Sequence, residues 1–336
     1  MEQFPYVYTR FFIYSVSCIF SQFSHLYALS SVFPVYADLS PANIKERFMK
    51  TTPSTAGLTR LTRRTAALLL AFVISFLAVS EFNAIPAEAA SAKEWAIIIG
   101  TNIGGNTSRV KNNKSIVVDV QYYYPNQIKA LKSGGRKVYS YMSIGSLETY
   151  RPYYKKFKGH TMGRYKNWGD ELWMDVSYKP YQDFIVNELV ASVRRKGCDG
   201  LWLDNFDVYY EYHQEKIYKG LLEILTRIKK KNIPVYINGG DVFVTRLLNS
   251  GKKKLIKGVF QEEVFTQIRG YDSNRFGSQN KSDRSYYQNY LKKVKKAGLT
   301  AGMLEYTTDS KMRKTIINYA KKNGYAYYIS STTHLR

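Results

Sequence analysis

Residues 200–205 read Gly-Leu-Trp-Leu-Asp-Asn, an unbroken apolar centre closed by an acid and an amide. A strand with one wet face alternates apolar and polar residues. A continuous apolar run bounded by turn residues is instead the pattern of a strand buried on both faces of a parallel sheet. Seven more runs of this kind occur: Trp95–Gly100, Ser115–Val120, Lys137–Ile144, Pro234–Asn238, Gly258–Glu262, Thr300–Tyr306 and Ala326–Ser330. Between them lie helical patterns. Tyr181–Lys196 repeats Ile185, Leu189, Val190 and Val193; Gln214–Lys231 places Ile217, Leu221, Ile224, Leu225 and Ile228 on one stripe; Lys311–Asn323 stops at Gly324, as a helix ending in a left-handed glycine does. Pro125–Ser133 and Arg284–Lys296 are similar, whereas the glycine- and asparagine-rich link Thr101–Lys114 shows no helix. Repeated strand and helix over the 246 residues from Ser91 onward predicts one α/β domain, a (β/α)8 TIM barrel of roughly 250 residues. An open doubly wound sheet is the alternative.

In such a barrel the working groups stand at the C-terminal ends of the strands. Here those ends are rich in carboxylates: Asp119, Glu148, Asp204 with Asp207, Glu262 with Glu263, and Glu305, joined by Arg151, Asn238 and Asp241. Acids gathered on one rim repel one another unless they have a use. Glycosidic cleavage needs two carboxyl groups, one to donate a proton and one to act as nucleophile or base. Tyr141, Trp202, Tyr209 and Tyr306 lie nearby and offer apolar faces for pyranose rings. The plainer role of a strand-end acid is to cap the next helix, and Asp207 and Asp241 suit it best. Glu263 competes with Glu262, because neighbours on a strand face opposite ways.

Other chemistries lack their residues. Gly100-Thr-Asn-Ile-Gly-Gly105 opens no helix and is not a dinucleotide fingerprint; no GxSxG elbow, CxxC or HExxH occurs, so no cofactor or metal is expected. Cys18 and Cys198 are the cysteines, and Cys198 reads as a structural thiol.

The amino-terminal third has a different character. Arg60, Arg63 and Arg64 precede the 15-residue apolar run Thr65–Val79, and Ala87-Glu-Ala89 follows. A basic region, an apolar region and an A-x-A site form a secretory signal, and the run is short of the roughly 20 residues a membrane span needs. Residues 49–89 are therefore expected to be a signal peptide, with an uncleaved anchor as the alternative, and residues 90–336 the barrel. Met49-Lys50 makes a natural start, and Lys45-Glu46 can be encoded as AAGGAG, which resembles a bacterial ribosome-binding site. Residues 1–48 are accordingly read as an over-extended N-terminus, or else a genuine leader.

The chain carries a net charge of +24, and removing residues 1–90 leaves +22. Such a charge favours anionic partners, here a cell-wall or envelope surface. No nucleic-acid-binding motif accompanies it, and a monomer is expected.

Four stretches resemble one known family. Val138-Tyr-Ser-Tyr-Met-Ser-Ile-Gly145 with Glu148 and Arg151 resembles its YxSxG…E…R segment. Cys198-Asp-Gly-Leu-Trp-Leu-Asp-Asn-Phe-Asp207 is similar to its G-x-D-G-x-x-D-N-x-D segment, Glu262-Glu-Val-Phe265 to E-x-x-F, and Glu305-Tyr306 to its EY. The family is glycoside hydrolase family 114, the endo-α-1,4-polygalactosaminidases and related bacterial barrel proteins. The resemblance covers about residues 115–331. It implies a (β/α)8 fold with Asp204 and Glu262 as the catalytic pair and Asp119 and Glu305 in the cleft. Gln261 stands where the family often has Asn, and Cys198 where Phe or Val is usual. A cationic galactosamine polymer fits a +22 body poorly, so the substrate is expected more broadly to be an amino-sugar-containing surface or biofilm polysaccharide.

These readings converge on a secreted, endo-acting, retaining glycoside hydrolase that needs no cofactor. Asp204 is the expected nucleophile and Glu262 the acid/base. The remaining rim residues, Asp119, Tyr141, Glu148, Arg151, Trp202, Asp207, Asn238, Glu263, Glu305 and Tyr306, are expected to bind sugar. The other reading is a wall- or glycan-binding barrel without catalysis. Asp204 is further expected to stay ionised beside Asn205, while Glu263, Val264 and Phe265 push the Glu262 carboxyl upward.

The leader reading has a direct test. Amino-terminal sequencing of the exported protein is expected to begin at Ala90; intact Thr65–Val79 in a membrane fraction would overturn it.

Overall fold

The computed structural model describes residues 95–336. The readings of residues 1–48 and 49–89 as an over-extended N-terminus and a signal peptide lie outside the described residues. Among those described, no helix is long and apolar enough to cross a membrane.

All eight apolar runs are strands of one parallel sheet. In chain order they are β1 (Trp95–Ile97), β2 (Ser115–Val118), β3 (Lys137–Ser143), β7 (Gly200–Asp204), β8 (Val235–Asn238), β9 (Gly258–Glu262), β12 (Thr300–Tyr306) and β13 (Ala326–Ser330). They are hydrogen-bonded in that order, and β13 returns beside β1. The Gly100 amide reaches the Leu335 carbonyl at 3.3 Å across that seam. The sheet is thus rolled into a (β/α)8 barrel.

Period-two alternation divides the strand residues into two cores. Ile116, Val118, Val138, Met142, Leu201, Leu203, Val235, Ile237, Val259, Ala301 and Met303 point outward and pack under the helices. Trp95, Val117, Tyr139, Tyr141, Trp202, Phe260, Leu304 and Tyr306 point inward. Aromatic rings fill the interior in place of the usual branched aliphatics: Trp95 lies 5.0 Å from Tyr139 and 4.8 Å from Phe260, centroid to centroid. Gly302 makes room for them, since a Cβ there would lie 2.6 Å from the Phe260 ring.

The helices are α1 (Pro125–Leu131), α2 (Tyr154–Phe157), α3 (Lys179–Asp183), α4 (Val190–Arg195), α5 (Val208–Tyr212), α6 (Glu215–Lys230), α7 (Asp241–Asn249), α8 (Lys281–Lys296) and α9 (Ser310–Asn323). The five helical patterns read from the sequence are all helical, and three further helices, α2, α5 and α7, join them. A π-helical turn at Phe184–Leu189 joins α3 to α4. Gly324 ends α9 at φ 62°, as its place in the sequence predicts. The link after β1 holds only a short 3-10 turn at Ser108–Val110.

Two insertions depart from the plain repeat. Between β3 and α3, strands β4 (Ser146–Glu148), β5 (Thr161–Arg164) and β6 (Glu171–Met174) form a small antiparallel sheet. Between β9 and α8, β10 (Thr266–Gly270) and β11 (Arg275–Ser278) form a hairpin. Both rise from the C-terminal ends of the strands.

Gly145 joins β3 to the first insertion at a point where the backbones touch. A Cβ there would lie 1.7 Å from the Asn205 carbonyl oxygen. On either side, the Ile144 amide donates to Asp204 O at 3.1 Å and Met174 N donates to Gly145 O at 2.8 Å. Gly145→Ala is expected to cost about 3 kcal/mol through forced separation of these segments, a fall in Tm of roughly 6–12 °C for a domain of this size. An unchanged melting curve would refute this.

Candidate active site

A cleft of about 390 Å³ opens at the C-terminal ends of the strands. β7 carries Asp204 to it, β8 carries Asn238 and β9 carries Glu262. All three side chains point inward by alternation, one layer above Trp202, Tyr236 and Phe260. Asn238 sits between the two acids. Its Nδ2 donates to Asp204 Oδ1 at 3.1 Å and also to Glu262 Oε1. Tyr306 Oη donates to the other Glu262 oxygen at 2.6 Å. The Asn205 amide donates to Asp204 Oδ1 at 2.8 Å, and to do so Asn205 takes a left-handed φ of 65°. Asparagine tolerates that region better than most residues. Its side chain then turns beneath the strand end and donates to Ser143 and Ser146 hydroxyls at 2.9 and 2.8 Å and to Glu171 at 3.1 Å.

The electrostatics of the pair differ from expectation. Burial pushes the Asp204 carboxyl well up, and the facing Glu262 charge adds to it; Asn205 and Asn238 oppose. Burial also raises Glu262, against Tyr306 and Asn238. Asp204 is therefore not set apart as the ionised member, and Glu263 is not what raises Glu262. Glu263 has a left-handed φ of 57°, which turns its carboxylate away to accept from the Ile268 amide at the base of the β10–β11 hairpin. The two facing acids hold protons as a unit. The Tyr306 phenol is held well above its usual value by burial and by Glu262, so it remains a donor.

Nine of the twelve expected residues line the cleft: Asp119, Tyr141, Glu148, Asp204, Asp207, Asn238, Glu262, Glu263 and Tyr306. Asp207 does so while capping: its carboxylate accepts from the Gly240 amide at 3.1 Å, in a turn where Gly239 and Gly240 both have positive φ. A Cβ on Gly239 would lie 2.7 Å from that carboxylate.

The other three expectations are corrected. Trp202 is wholly buried, two residues and one layer below Asp204, so it lies beneath the cleft and offers no face to a sugar. Arg151 is buried behind the rim, spent on a two-nitrogen contact to Glu148 and a 2.6 Å bond to Asp119. Glu305 lies on the outward face of β12. Its carboxylate accepts from the Phe265 and Thr266 amides at 2.9 and 3.0 Å and from the Thr266 hydroxyl at 2.6 Å, anchoring the second insertion. Tyr209 is likewise buried, under α6 and α7.

Sequence reading missed what the insertions bring. Glu171 on β6 lines the cleft, buried; its carboxylate accepts from Ser146 Oγ and Asn205 Nδ2. Burial and the Glu148 charge lift its pKa to about 8. Tyr165, Asn167, Trp168, Tyr271 and Tyr287 supply the walls, with the C-terminal residues Thr333–Leu335. Trp168 of the first insertion meets Tyr271 of the second at 5.1 Å, edge to face. The signal was present in Glu171-Leu-Trp-Met and in the turn Tyr271-Asp-Ser-Asn274, but neither sits in a continuous apolar run.

An α/β barrel whose mouth holds two facing carboxylates bridged by one amide has the arrangement of glycoside hydrolases. The model of glycoside-hydrolase family GH114 matches residues 78–334, and the chain belongs to that family. It is a glycosidase. No curated protein matches the chain by sequence. Among solved structures, the glycoside hydrolase domain of PelA from Pseudomonas aeruginosa is similar at TM-score 0.62 and 14% identity, over 72% of this chain and 96% of that one. Ega3 from Aspergillus fumigatus, solved with galactosamine, is similar at TM-score 0.57 and 17% identity, over 73% and 93%.

The raised carboxyls make stability depend on pH. Glu171 is lifted to about 8, and Asp207, Glu263 and Glu305 to about 7 each, all by burial first. A carboxyl with a folded pKa above its unfolded value, about 4, holds its proton longer in the folded state. Its contribution is therefore full below about pH 4 and is lost as pH rises through the folded value. Denaturant titrations are expected to find the barrel less stable at pH 8 than at pH 5. Glu171→Gln is expected to flatten that slope by up to one proton, about 1.4 kcal/mol per pH unit; an unchanged slope would contradict the placement of Glu171.

Proposed function

We propose that the protein is a secreted, endo-acting, retaining hydrolase of an amino-sugar-containing surface or biofilm polysaccharide, with Asp204 as nucleophile and Glu262 as acid/base. The observation that carries the reading is the single Asn238 nitrogen that contacts both acids. With bonds of 3.1 and 2.5 Å from one atom, the nearest carboxylate oxygens lie no farther apart than the two bonds end to end. Retaining enzymes hold their carboxyls about 5–5.5 Å apart, and inverting ones roughly 6.5–9.5 Å, to admit a water. The short span supports retention.

The steps follow from that geometry. A buried like-charged pair holds one proton between its members, the total the first step requires. With the proton on Glu262, its hydroxyl protonates the glycosidic oxygen as an Asp204 oxygen bonds to the anomeric carbon and the leaving sugar departs. Asn205 N–H and Asn238 Nδ2 stay on the attacking carboxylate. Glu262, now ionised and held by Tyr306, takes a proton from the water that displaces Asp204, which restores both acids.

The amino sugar is supported by the resemblance in sequence and by the galactosamine in Ega3. Asp119, Glu148, Glu171, Asp207 and Glu263 surround the pair and accept from hydroxyl or ammonium groups. The +22 body thus presents an acidic cleft to a cationic sugar. Aromatic faces of Tyr165, Trp168, Tyr271 and Tyr287 around the pair support binding of more than one residue of a chain, and so endo-action. The signal-like segment supports secretion, and the net charge supports an anionic wall or envelope setting.

Hydrolysis of deacetylated and partly acetylated galactosamine polymers tests the assignment. Asp204→Asn and Glu262→Gln are each expected to lower turnover by on the order of a hundredfold to ten-thousandfold while polymer binding persists. Glu263→Gln is expected to retain activity, and early NMR spectra to give the starting anomer. Inverted product, or activity lost in Glu263→Gln and kept in Glu262→Gln, rejects the mechanism. Binding without cleavage by the native chain leaves a glycan-binding barrel instead.

A further inference from the structure

The lysines are distributed by barrel end. In a parallel barrel each turn that leads from a helix into a strand lies at the N-terminal end of the strands, opposite the cleft. Seven segments enter β2, β3, β7, β8, β9, β12 and β13 in this way: 111–114, 131–137, 194–199, 229–234, 250–257, 293–299 and 321–325. Together they hold twenty Lys or Arg and one carboxylate, Asp199. Asp199 is taken by Lys132 at 2.9 Å and Lys137 at 3.6 Å. The cleft at the other end holds the acids.

The segments form one surface. Lys132 Nζ donates to Gly197 O at 3.0 Å, Arg194 to Lys231 O at 3.1 Å, Lys253 to Ala297 O at 2.9 Å and Lys295 to Gly324 O at 2.8 Å. Each bond ties one turn to the next around the barrel. These cations have a structural use, since they cap helix-end carbonyls. That use does not extend to Lys229, Lys230, Lys252, Lys254, Lys296 and Lys322, which are exposed and, among the described residues, pair with no carboxylate.

We propose that this basic end is a docking surface for a flexible phosphodiester polymer of the envelope. The extracellular setting rests on the secretion reading above, while the chemistry of the surface stands without it. The face is charged and little else. The large exposed aromatics, Tyr122, Tyr124, Tyr150, Tyr210 and Tyr286, follow strand ends or begin helices at the cleft end. Among the described residues, the basic end therefore lacks the exposed rings that anchor a protein in a membrane interface or stack on unpaired bases. Seventeen of its twenty cations are lysines. Lysine acts on phosphate as a point charge, whereas arginine forks to planar partners and base edges. The turns are tight, and among the described residues no helix or ribbon lies across the face to enter a duplex groove. A multivalent, ionic contact with a pliant phosphate chain remains. Docked so, the barrel holds its cleft away from the anchoring polymer and toward the medium.

The test is sedimentation of the purified chain with wall sacculi that carry glycerol-phosphate polymer, against sacculi stripped of it by hydrofluoric acid. Retention is expected on the first and not on the second, and to weaken steeply with salt. Combined Lys→Gln at positions 229, 230, 252, 254, 296 and 322 is expected to weaken retention at least about tenfold and flatten the salt dependence. Hydrolysis of soluble polymer is expected to be unchanged, since none of these residues lies in the cleft. Should that variant fold poorly, Lys252→Glu with Lys254→Glu is expected to weaken retention in the same direction. Lys281→Gln with Lys311→Gln, exposed at the cleft end, is expected to bind as the native chain does. Equal retention on stripped sacculi, native retention by both basic-end variants, or tighter binding to phosphatidylglycerol vesicles or duplex DNA overturns the proposal. A hydrolytically inactive chain that still binds walls through these lysines leaves it intact.

Discussion

Nδ2 of Asn238 lies between two half-buried acids, and the rest of the cleft is arranged around the repulsion it moderates. Two unit charges at about 5 Å repel by roughly 3 kcal/mol at an effective dielectric of about 20. The barrel meets that cost with Asn238, Tyr306 and the left-handed Asn205 amide, and with a shared proton. The arrangement depends on register. Leu203 pairs with Ile237, and Asn238 with Phe260. A slip of one residue in any of the three strands would turn Leu203, Ile237 or Gln261 inward and remove a member of the trio.

The second insertion is tied to the same place by two acids, of which Glu263 also lines the cleft and Glu305 does not. Glu263 holds the Ile268 amide, and Glu305 holds Phe265 and Thr266. The first insertion is tied by the Ser143, Ser146, Asn205 and Glu171 cluster directly under the Asp204 strand end. Some rim carboxylates only meet the cleft, Glu305 only holds its wall, and Glu171 and Glu263 do both.

The barrel strands were legible because burial on both faces leaves a continuous apolar run, and eight such runs survive in this chain without interruption. Strand parity, also legible, puts Asp204, Asn238, Glu262 and Tyr306 inward. The same parity excludes Glu305, whose outward face follows from Ala301 and Met303 on β12. Depth along a strand was harder to read: Trp202 has the parity of Asp204 and differs only by one layer. Arg151 could not be placed, because its partners Asp119 and Glu148 come from different strands. The insertions were illegible for a different reason. Their strands are only three to five residues long; β4 and β6 are largely buried, while Thr161–Arg164 and Arg275–Ser278 are half-exposed and alternate weakly, so neither the continuous nor the amphipathic pattern stands out. Glu171 went unread with them.

The separation of acids from lysines along the barrel axis also bears on how the protein behaves toward its own copies. The cleft of one molecule carries charge opposite to that of the basic end of another, and a head-to-tail contact of that kind would be heterologous rather than two-fold. Opposing it are the net charge, which keeps whole molecules apart, and mobile ions, which screen both effects beyond about 8 Å at physiological strength. Ionic strength therefore sets the reach of both: dilute buffer lengthens it, and moderate salt shortens it.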